Sequence, residues 1–236
     1  MKRRRMILLI ISVTTGVFLS LLSCLQAERC LFSYYEGDED KYSGIDLLNT
    51  IFISDNIKAT EYLDDKNIML LLPVITYVFT GFIIGCSFVV FSDRYKCFIA
   101  SRCRNSYILD RIILDHPLPV ITVYVLSFMI PIMVKYGTSY LSDCSGMALS
   151  HILFLDTTVN ISYFIHKRFN SSAAVVSGLI MICLVYMADM YSTDIHLILY
   201  SQFSGQIRSV IILMFFMAAL KIFIRLSKRK EFFYVH

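Results

Sequence analysis

Charged residues are scarce in this sequence. Lysine, arginine, aspartate and glutamate make up 17% of the 236 residues, whereas 57% of the residues are hydrophobic. The mean hydropathy is +0.65. Because a soluble domain has about 25% charged residues, this composition excludes an ordinary soluble protein and predicts a polytopic membrane protein. The basic clusters flank apolar segments, as charges that set membrane orientation do, so they do not indicate nucleic-acid binding.

Motifs for metal binding, nucleotide binding and catalysis are also missing. The seven cysteines form no Cys-x-x-Cys pair, and Cys97 and Cys103 have no histidine pair nearby, so the sequence predicts no zinc site. No Gly-x-x-x-x-Gly-Lys-Ser/Thr motif is present, so any ATP hydrolysis must belong to a partner. No nucleophile is paired with a base, and we therefore expect no catalytic residues and no cofactor in this chain.

Six apolar segments are long enough to cross a bilayer, because about 20 residues at 1.5 Å each match a hydrocarbon layer of roughly 30 Å. These segments cover residues 6–25, 68–91, 117–134, 147–165, 173–191 and 210–226. The sequence therefore predicts an all-α fold with six transmembrane helices in one domain, residues 1–236. Lys221 and Arg225 lie near the end of the last segment and are expected to reach outward to the membrane surface. As an alternative, residues 1–24 resemble a cleaved secretory or lipoprotein signal.

The distribution of charge predicts the orientation. With the N-terminus in the cytoplasm, sixteen of the 22 lysines and arginines fall on the cytoplasmic side. Ten of the 18 acidic residues lie in the first external segment, residues 26–66. Both termini are therefore expected to be cytoplasmic. Within the acidic segment, Ile45, Leu48, Ile51 and Phe52 recur at helical spacing, which predicts a short helix on the outer membrane surface or on the bundle itself.

Polar residues inside the predicted spans are candidates for a transport pathway or a functional site. They are His151, Asp156, Asn160 and Asp189. His151 and Asp156 are five residues apart and do not share a helix face, whereas Asn160 lies at i+4 from Asp156 and could be its hydrogen-bond partner. An intramembrane enzyme that uses Asp156 and Asp189 is a further alternative. Outside the membrane, Cys30 and Cys144 could form a disulfide or remain free thiols.

Two connections have unusual compositions. Residues 192–207 are too apolar for a simple loop and too short for two spans, so we expect them to enter the membrane interface. The cytoplasmic connection, residues 92–116, contains DRYKCFIASRCRNSYILDRIILD, in which two apolar stretches flank a polar centre. This pattern predicts two short interfacial helices, with the basic side chains facing anionic lipid headgroups.

The layout resembles the permease subunits of type-two ABC exporters, and in particular the small permeases of bacteriocin and antimicrobial-peptide export or self-resistance. The shared features are six spans with both ends inside, a Tyr-x-x-Phe-Ile-x-x-Arg-x-Arg segment after the second span, and an interrupted external stretch before the sixth. In that family the segment after the second span docks on a separate ATP-binding subunit. By position, this contact would use Arg94, Tyr95, Arg102, Arg104 and Asn105.

The resemblance implies a permease in the bacterial plasma membrane that works as a homodimer or heterodimer, surrounded by lipid and driven by an ATP-binding cassette subunit. The expected cargo is a peptide or a lipid-like amphiphile. The long acidic segment, residues 26–66, departs from the family pattern. The alternative is a non-transporting immunity or sensor protein that binds an extracellular peptide through this segment.

Overall fold

Every regular element in the described part of the chain is an α-helix. The computed structural model describes residues 2–34, 44–52, 74–87, 114–136, 141–191, 196–199 and 203–226. The helices are α1 (Lys2–Tyr34), α2 (Gly44–Phe52), α3 (Val74–Ser87), α4 (Pro117–Tyr136), α5 (Leu141–Arg168), α6 (Ser171–Tyr191) and α7 (Phe203–Leu226).

Five of these helices are long and apolar enough to cross a membrane. They are α1, α4, α5, α6 and α7, and α3 is a shorter apolar helix within the second predicted span. The expectation of a helical membrane protein with several spans is therefore confirmed. The bounds differ from the prediction, because α1 continues through residues 26–34, which were expected to be external, and α5 begins at Leu141 rather than at residue 147.

Helix α5 lies at the centre of the bundle. It packs against α4, α6 and α7, and two glycines of α3 approach it, Gly81 at Leu155 and Gly85 at Val159. The predicted fourth span, residues 147–165, carries the polar side chains of His151, Asp156 and Asn160. Those side chains are buried against neighbouring helices, which is the environment that polar groups require in a membrane.

A tight turn joins α5 to α6. The Phe169 amide donates to the carbonyl of Ile165, and Asn170 caps α6 because its side-chain oxygen accepts from the Ala173 amide at 2.7 Å. Since only two residues separate the helices, α5 and α6 are antiparallel neighbours.

The directions of the other helices follow from contacts along their lengths. Gly16 of α1 meets α4 at Tyr124, and an ion pair further along joins Glu28 of α1 to Lys135 of α4, so α1 and α4 are parallel. In α5 and α7, Gly146 lies at Gln206 near the helix starts. Near the ends of the same two helices, Lys167 of α5 contacts the carbonyl of Ile224 of α7. These two helices are therefore also parallel.

Helix α3 is parallel to α5 and antiparallel to α4. Gly81 touches both Leu155 and Tyr124, whereas Gly85, one turn later, touches Val159 of α5 and Ile121 of α4. Contacts therefore advance along α5 and retreat along α4 as α3 proceeds. In chain order, α1, α3, α4, α5, α6 and α7 alternate in direction. The start of α1 and the end of α7 lie on the same side, which we call the N-terminal side of the bundle.

The short helix α2 packs on the bundle. Of the two predicted positions, on the outer membrane surface or on the bundle itself, the second is confirmed. Leu48, Ile51 and Phe52 are buried. The Phe52 ring lies 5.9 Å from the Phe128 ring and 5.5 Å from the His151 ring, measured between centroids. An apolar stripe at helical spacing therefore buries itself in the protein core rather than in the membrane surface.

Gly16 allows α1 and α4 to come close together. A Cβ atom at this position would lie 2.8 Å from the Tyr124 carbonyl oxygen and 2.9 Å from the Ser127 Cβ. The first of these neighbours is backbone and cannot rotate away. Small residues at such points let membrane helices pack closely, which is where their association gains most of its van der Waals energy.

We predict that Gly16→Val lowers the free energy of unfolding by about 1–3 kcal/mol, because the added methyl groups overfill this contact. Thermal unfolding of the purified protein in detergent measures the change. Leu22→Val is the control, since Leu22 is on the same helix and is 47% exposed. Equal melting temperatures for the two variants would contradict the close contact.

Candidate functional site

A non-helical segment lies inside the bundle between α6 and α7. Of residues 196–199, His196, Ile198 and Leu199 are buried, and Ile198 is 0% exposed. This part lies within the bundle, and the expectation that residues 192–207 enter the membrane interface stays a prediction. Non-helical backbone is tolerated at membrane depth only where protein or water satisfies its hydrogen bonds. The partners of this segment are therefore the central feature of the site.

The Asp189 carboxylate binds three consecutive amides of the segment. Its Oδ2 atom accepts hydrogen bonds from the N–H groups of Leu197, Ile198 and Leu199 at 2.8, 2.6 and 3.1 Å. Asp189 lies in the last turn of α6 and is buried. Hydrogen bonds from amides to a carboxylate are among the stronger kinds, so the buried charge is compensated by backbone dipoles rather than by a cation.

Three side chains bind the carbonyl groups of the same segment. Ser209 of α7 donates to the carbonyl of His196 at 2.7 Å. Ser150 of α5 donates to the carbonyl of Leu197 at 3.3 Å, and His151 Nε2 lies 2.8 Å from the carbonyl of Ile198. Together with Asp189, these contacts satisfy six successive backbone polar groups and link α5, α6 and α7 to one point.

The contacts of His151 determine its tautomer. A carbonyl oxygen can only accept, so Nε2 carries the proton that it donates to Ile198. The other ring nitrogen, Nδ1, lies 3.4 Å from the Tyr77 hydroxyl of α3 and accepts from it. Tyr77 and His151 are both buried. A neutral imidazole therefore satisfies both contacts and extends the network to a fourth helix.

A second polar site joins α5 to α7. The Asp156 Oδ2 atom lies 3.1 Å from the Lys221 ammonium and accepts a hydrogen bond from Asn160 Nδ2 at 3.1 Å. Asp156 is 0% exposed, and the Lys221 side chain is 16% exposed. A charge in this position needs a partner of opposite sign, because burying it alone costs several kcal/mol.

Lys167 adds another contact between α5 and α7. Its ammonium donates to the carbonyl of Ile224 at 3.1 Å. That carbonyl lies in the last turn of α7, where the helix offers no amide to bind it. A lysine at a helix C-terminus also opposes the negative end of the helix dipole. The two lysine contacts therefore hold the C-terminal halves of α5 and α7 together, on the N-terminal side of the bundle.

The structure brings together some of the residues predicted from sequence and separates others. The predicted bond between Asp156 and Asn160 is confirmed. His151 and Asp189 meet at residues 196–199, whereas Asp156 lies five residues along α5 from His151, about 7.5 Å by helical rise, and has its own partners. The two aspartates thus belong to different sites.

The expectation for Lys221 was wrong. This side chain was expected to reach outward to the membrane surface, but it turns inward to Asp156. Ion pairing inside the bundle outweighs snorkelling because an unpaired Asp156 would remain in a medium without water. Two signals were present in the sequence: one span contains an unpaired acid, and another contains a lysine within its apolar run. The Arg225 side chain lies outside the described residues.

The cysteines that were candidates for a disulfide are free thiols. Cys144 is buried in α5, and Cys30 is partly exposed on α1, which packs against α4 and α2. Among the described residues, no group of three or more histidine, cysteine, aspartate or glutamate side chains is placed to hold a metal ion. The proposed contacts with an ATP-binding subunit, Arg94, Tyr95, Arg102, Arg104 and Asn105, lie outside the described residues.

No protein-family model, no curated protein and no solved structure matches the chain.

We predict that Asp156→Ala and Lys221→Met each lower the free energy of unfolding by about 3–5 kcal/mol, because each leaves its partner charge buried and unpaired. The double variant Asp156→Leu/Lys221→Met should recover most of the loss. Denaturant unfolding of the purified protein in detergent measures all three variants.

The ion pair between Glu28 and Lys135 provides the control. The Lys135 side chain is 47% exposed, so Lys135→Met should cost less than about 1 kcal/mol. Single variants of the buried pair that are no less stable than Lys135→Met would show that Asp156 and Lys221 do not compensate each other.

Proposed function

We propose that the chain is the permease subunit of a type-two ABC exporter in the bacterial plasma membrane. In this proposal it crosses the membrane six times, both termini are cytoplasmic, and a separate subunit supplies ATP hydrolysis. The observation that carries the proposal is the alternating direction of the helices around α5.

The helix directions support six crossings. The contacts of Gly16 and of Glu28 with α4 make α1 and α4 parallel, so the chain must return across the bundle between them. Helix α3 runs in the required direction, and its described part lies within the predicted span 68–91. With α3 counted, six helices cross in alternation. An even number of crossings places both termini on one side.

The charges then assign that side to the cytoplasm. The described part of α3 ends and α4 begins on the N-terminal side of the bundle, so the proposal assigns the connection 92–116 to that side. The N-terminal residues, this connection, the last turns of α5 and α7 and the residues after α7 together hold sixteen of the 22 lysines and arginines. By the positive-inside rule, the N-terminal side is cytoplasmic. The segment at residues 196–199 is therefore on the external half.

The connection 92–116 is then in a position to contact a cytoplasmic ATP-binding subunit. The resemblance places the contact at Arg94, Tyr95, Arg102, Arg104 and Asn105. Arginine suits such a contact because its charge is permanent and its planar group makes paired hydrogen bonds with carboxylates. The structure describes the end of this connection, where Leu114 is buried in the bundle. A force on the connection therefore reaches α4 directly.

The polar contacts provide a route from the cytoplasmic to the external half. Lys167 and Lys221 tie α5 to α7 on the N-terminal side, so these two helices move as one body. At the other end, Asp189, His151 and Ser209 hold the segment at residues 196–199 between α5, α6 and α7. A small rotation of the paired helices would break or reform these bonds together. Two such packed arrangements are what alternating access requires.

The functional unit is a dimer in this proposal, because six helices form half of a transporter of this class and paired membrane subunits adopt twofold symmetry. The cargo is a peptide or a lipid-like amphiphile. Both the dimer and the cargo class follow from the family resemblance.

We predict that the tagged chain, purified from its native membrane, carries an ATP-binding cassette protein that mass spectrometry identifies. Arg102→Glu/Arg104→Glu should reduce the recovery of that protein by about tenfold or more, because hydrogen bonds to charged groups contribute about 1.5–3 kcal/mol each.

The matched control is Arg29→Glu/Arg208→Glu. Both arginines are exposed, and they lie on the external side of the proposed bundle, so this reversal should not change recovery. If no ATP-binding cassette protein is recovered, or if both double variants lose it equally, the proposed function is wrong. Recovery of an extracellular peptide without any ATPase would instead favour the immunity or sensor protein.

A further inference from the structure

The C-terminal end of helix α2 is inserted between the long helices. A helix that lies on a surface buries one face and leaves the opposite face exposed. In α2, by contrast, the last five residues, 48–52, are all buried. Two of them, Asn49 and Thr50, are polar. Protein therefore surrounds this end of α2 on every side.

The last residue of α2, Phe52, lies deep in the bundle. Its ring contacts the rings of Tyr77 of α3, Phe128 of α4 and His151 of α5. Phe128 is eight residues before the end of α4, and His151 is ten residues after the start of α5. At a rise of 1.5 Å per residue, Phe52 lies about 12–15 Å below these helix ends. Helix α2 therefore fills the space between α3, α4 and α5, at the end of the bundle opposite the N-terminal side.

Phe52 packs on the two side chains that connect to the buried segment at residues 196–199. The Tyr77 hydroxyl donates to His151 Nδ1, and His151 Nε2 donates to the carbonyl of Ile198. The Phe52 ring lies 6.4 Å from the Tyr77 ring and 5.5 Å from the His151 ring, measured between centroids. Water that reached these groups would compete for both hydrogen bonds. The position of Phe52 therefore protects one of the bonds that hold the segment.

The polar groups of α2 are poorly satisfied where they lie. The Oδ1 atom of Asn49 is buried and has no hydrogen-bond partner in the described part of the chain. The Thr50 hydroxyl donates to the Asp46 carbonyl within α2 itself, at 2.6 Å. A buried oxygen without a partner costs free energy that contact with water would restore. This cost offsets part of the gain from burying Leu48, Ile51 and Phe52, so less free energy is needed to withdraw α2.

The length of the chain permits such a withdrawal. Nine residues separate Tyr34 of α1 from Gly44 of α2, and twenty-one separate Phe52 from Val74 of α3. Nine residues can span up to about 30 Å. This is about twice the depth of Phe52, so α2 could leave the bundle while α1 and α3 stay in place.

We propose that α2 is a releasable plug, which withdraws as a unit while the long helices remain folded, and whose withdrawal frees residues 196–199. Its role as a plug rests on the proposed function, since a closed external end matters only where a cargo crosses the membrane. In that permease, α2 and the segment at residues 196–199 close the external half together, and they meet at His151.

Thiol labelling of the purified chain in detergent tests the release of α2 without any ATPase. Leu48→Cys places a thiol on α2, and Leu155→Cys is the matched control on α5, because the two leucines are 2% and 1% exposed. A small neutral thiol reagent is added, and mass spectrometry follows the labelling of each introduced thiol. The thiol of Leu48→Cys should react at least about tenfold faster, because local opening requires less free energy than global unfolding. Equal rates would show that α2 leaves only when the bundle unfolds, and would overturn the proposal.

Phe52→Ala tests the connection between α2 and the buried segment. This variant removes the ring that covers His151, so the segment should open more readily. We expect the amides of residues 197–199 to exchange with solvent at least about tenfold faster than in the wild type, as measured by hydrogen exchange and mass spectrometry. Exchange at the wild-type rate in folded Phe52→Ala would refute the connection. If Phe52→Ala does not fold, the labelling of Leu48→Cys decides the proposal alone.

Phe82→Ala is the matched control for this variant. Phe82 is as fully buried as Phe52, but it lies against Gly178 of α6. Its loss removes an equal amount of buried aromatic surface without uncovering His151. The amides of residues 197–199 should therefore keep their exchange rate relative to the central amides of α5. Equal acceleration in the two variants would show a general loss of stability and would overturn the proposed connection.

The plug and the export function fail separately. Rapid labelling of Leu48→Cys, without recovery of an ATP-binding cassette protein from the native membrane, would retain the release of α2 and refute export. Recovery of that protein together with equal labelling of Leu48→Cys and Leu155→Cys would retain export and refute the plug.

Discussion

The hydrogen bonds of Asp189 are the interaction on which the end of the bundle opposite the N-terminal side depends. Three consecutive amides, those of Leu197, Ile198 and Leu199, donate to one carboxylate oxygen. Without it, these amides would be buried in a place that water and lipid cannot satisfy. Side chains of α5 and α7 donate hydrogen bonds to the carbonyls of the same segment. One buried carboxylate therefore lets the chain leave helical structure inside the bundle and holds three spans together.

The two buried aspartates are compensated in different ways, and this difference suits different tasks. Asp156 has a cation, Lys221, as its partner. Asp189 has backbone amides, whose geometry depends on the conformation of residues 196–199. Movement of that segment would expose Asp189, whereas the lysine contacts of α5 with α7 persist as long as the two helices stay together. In the proposed permease, the lysine contacts transmit movement and the Asp189 contacts respond to it.

Much of the fold is predictable from the sequence because lipid imposes simple rules. Apolar length identifies the spans, and the stripe of Leu48, Ile51 and Phe52 identifies α2 as an amphipathic helix. The bond between Asp156 and Asn160 follows from helical spacing alone. These are local properties, and each depends on residues that are neighbours on one helix.

The contacts between helices are not predictable in the same way. Lys221 lies 65 positions from Asp156, and its place near a helix end favoured an outward orientation. Only the packing of α5 on α7 shows that its charge is needed inside. Asp189 and His151 likewise meet through a segment whose apolar composition indicates burial but not its partners. The contacts of Gly81 and Gly85 show the direction of α3, yet the sequence does not show which helices they touch.

The most direct test of this account is hydrogen exchange at the amides of Leu197, Ile198 and Leu199, followed by mass spectrometry of the protein in detergent. In Asp189→Ala, these three amides lose their acceptor, and the account predicts that they exchange at least about tenfold faster than in the wild type. Ser177→Ala removes a hydroxyl bond on the same helix and should leave their exchange unchanged. Equal protection of these amides in Asp189→Ala and in the wild type would contradict the account.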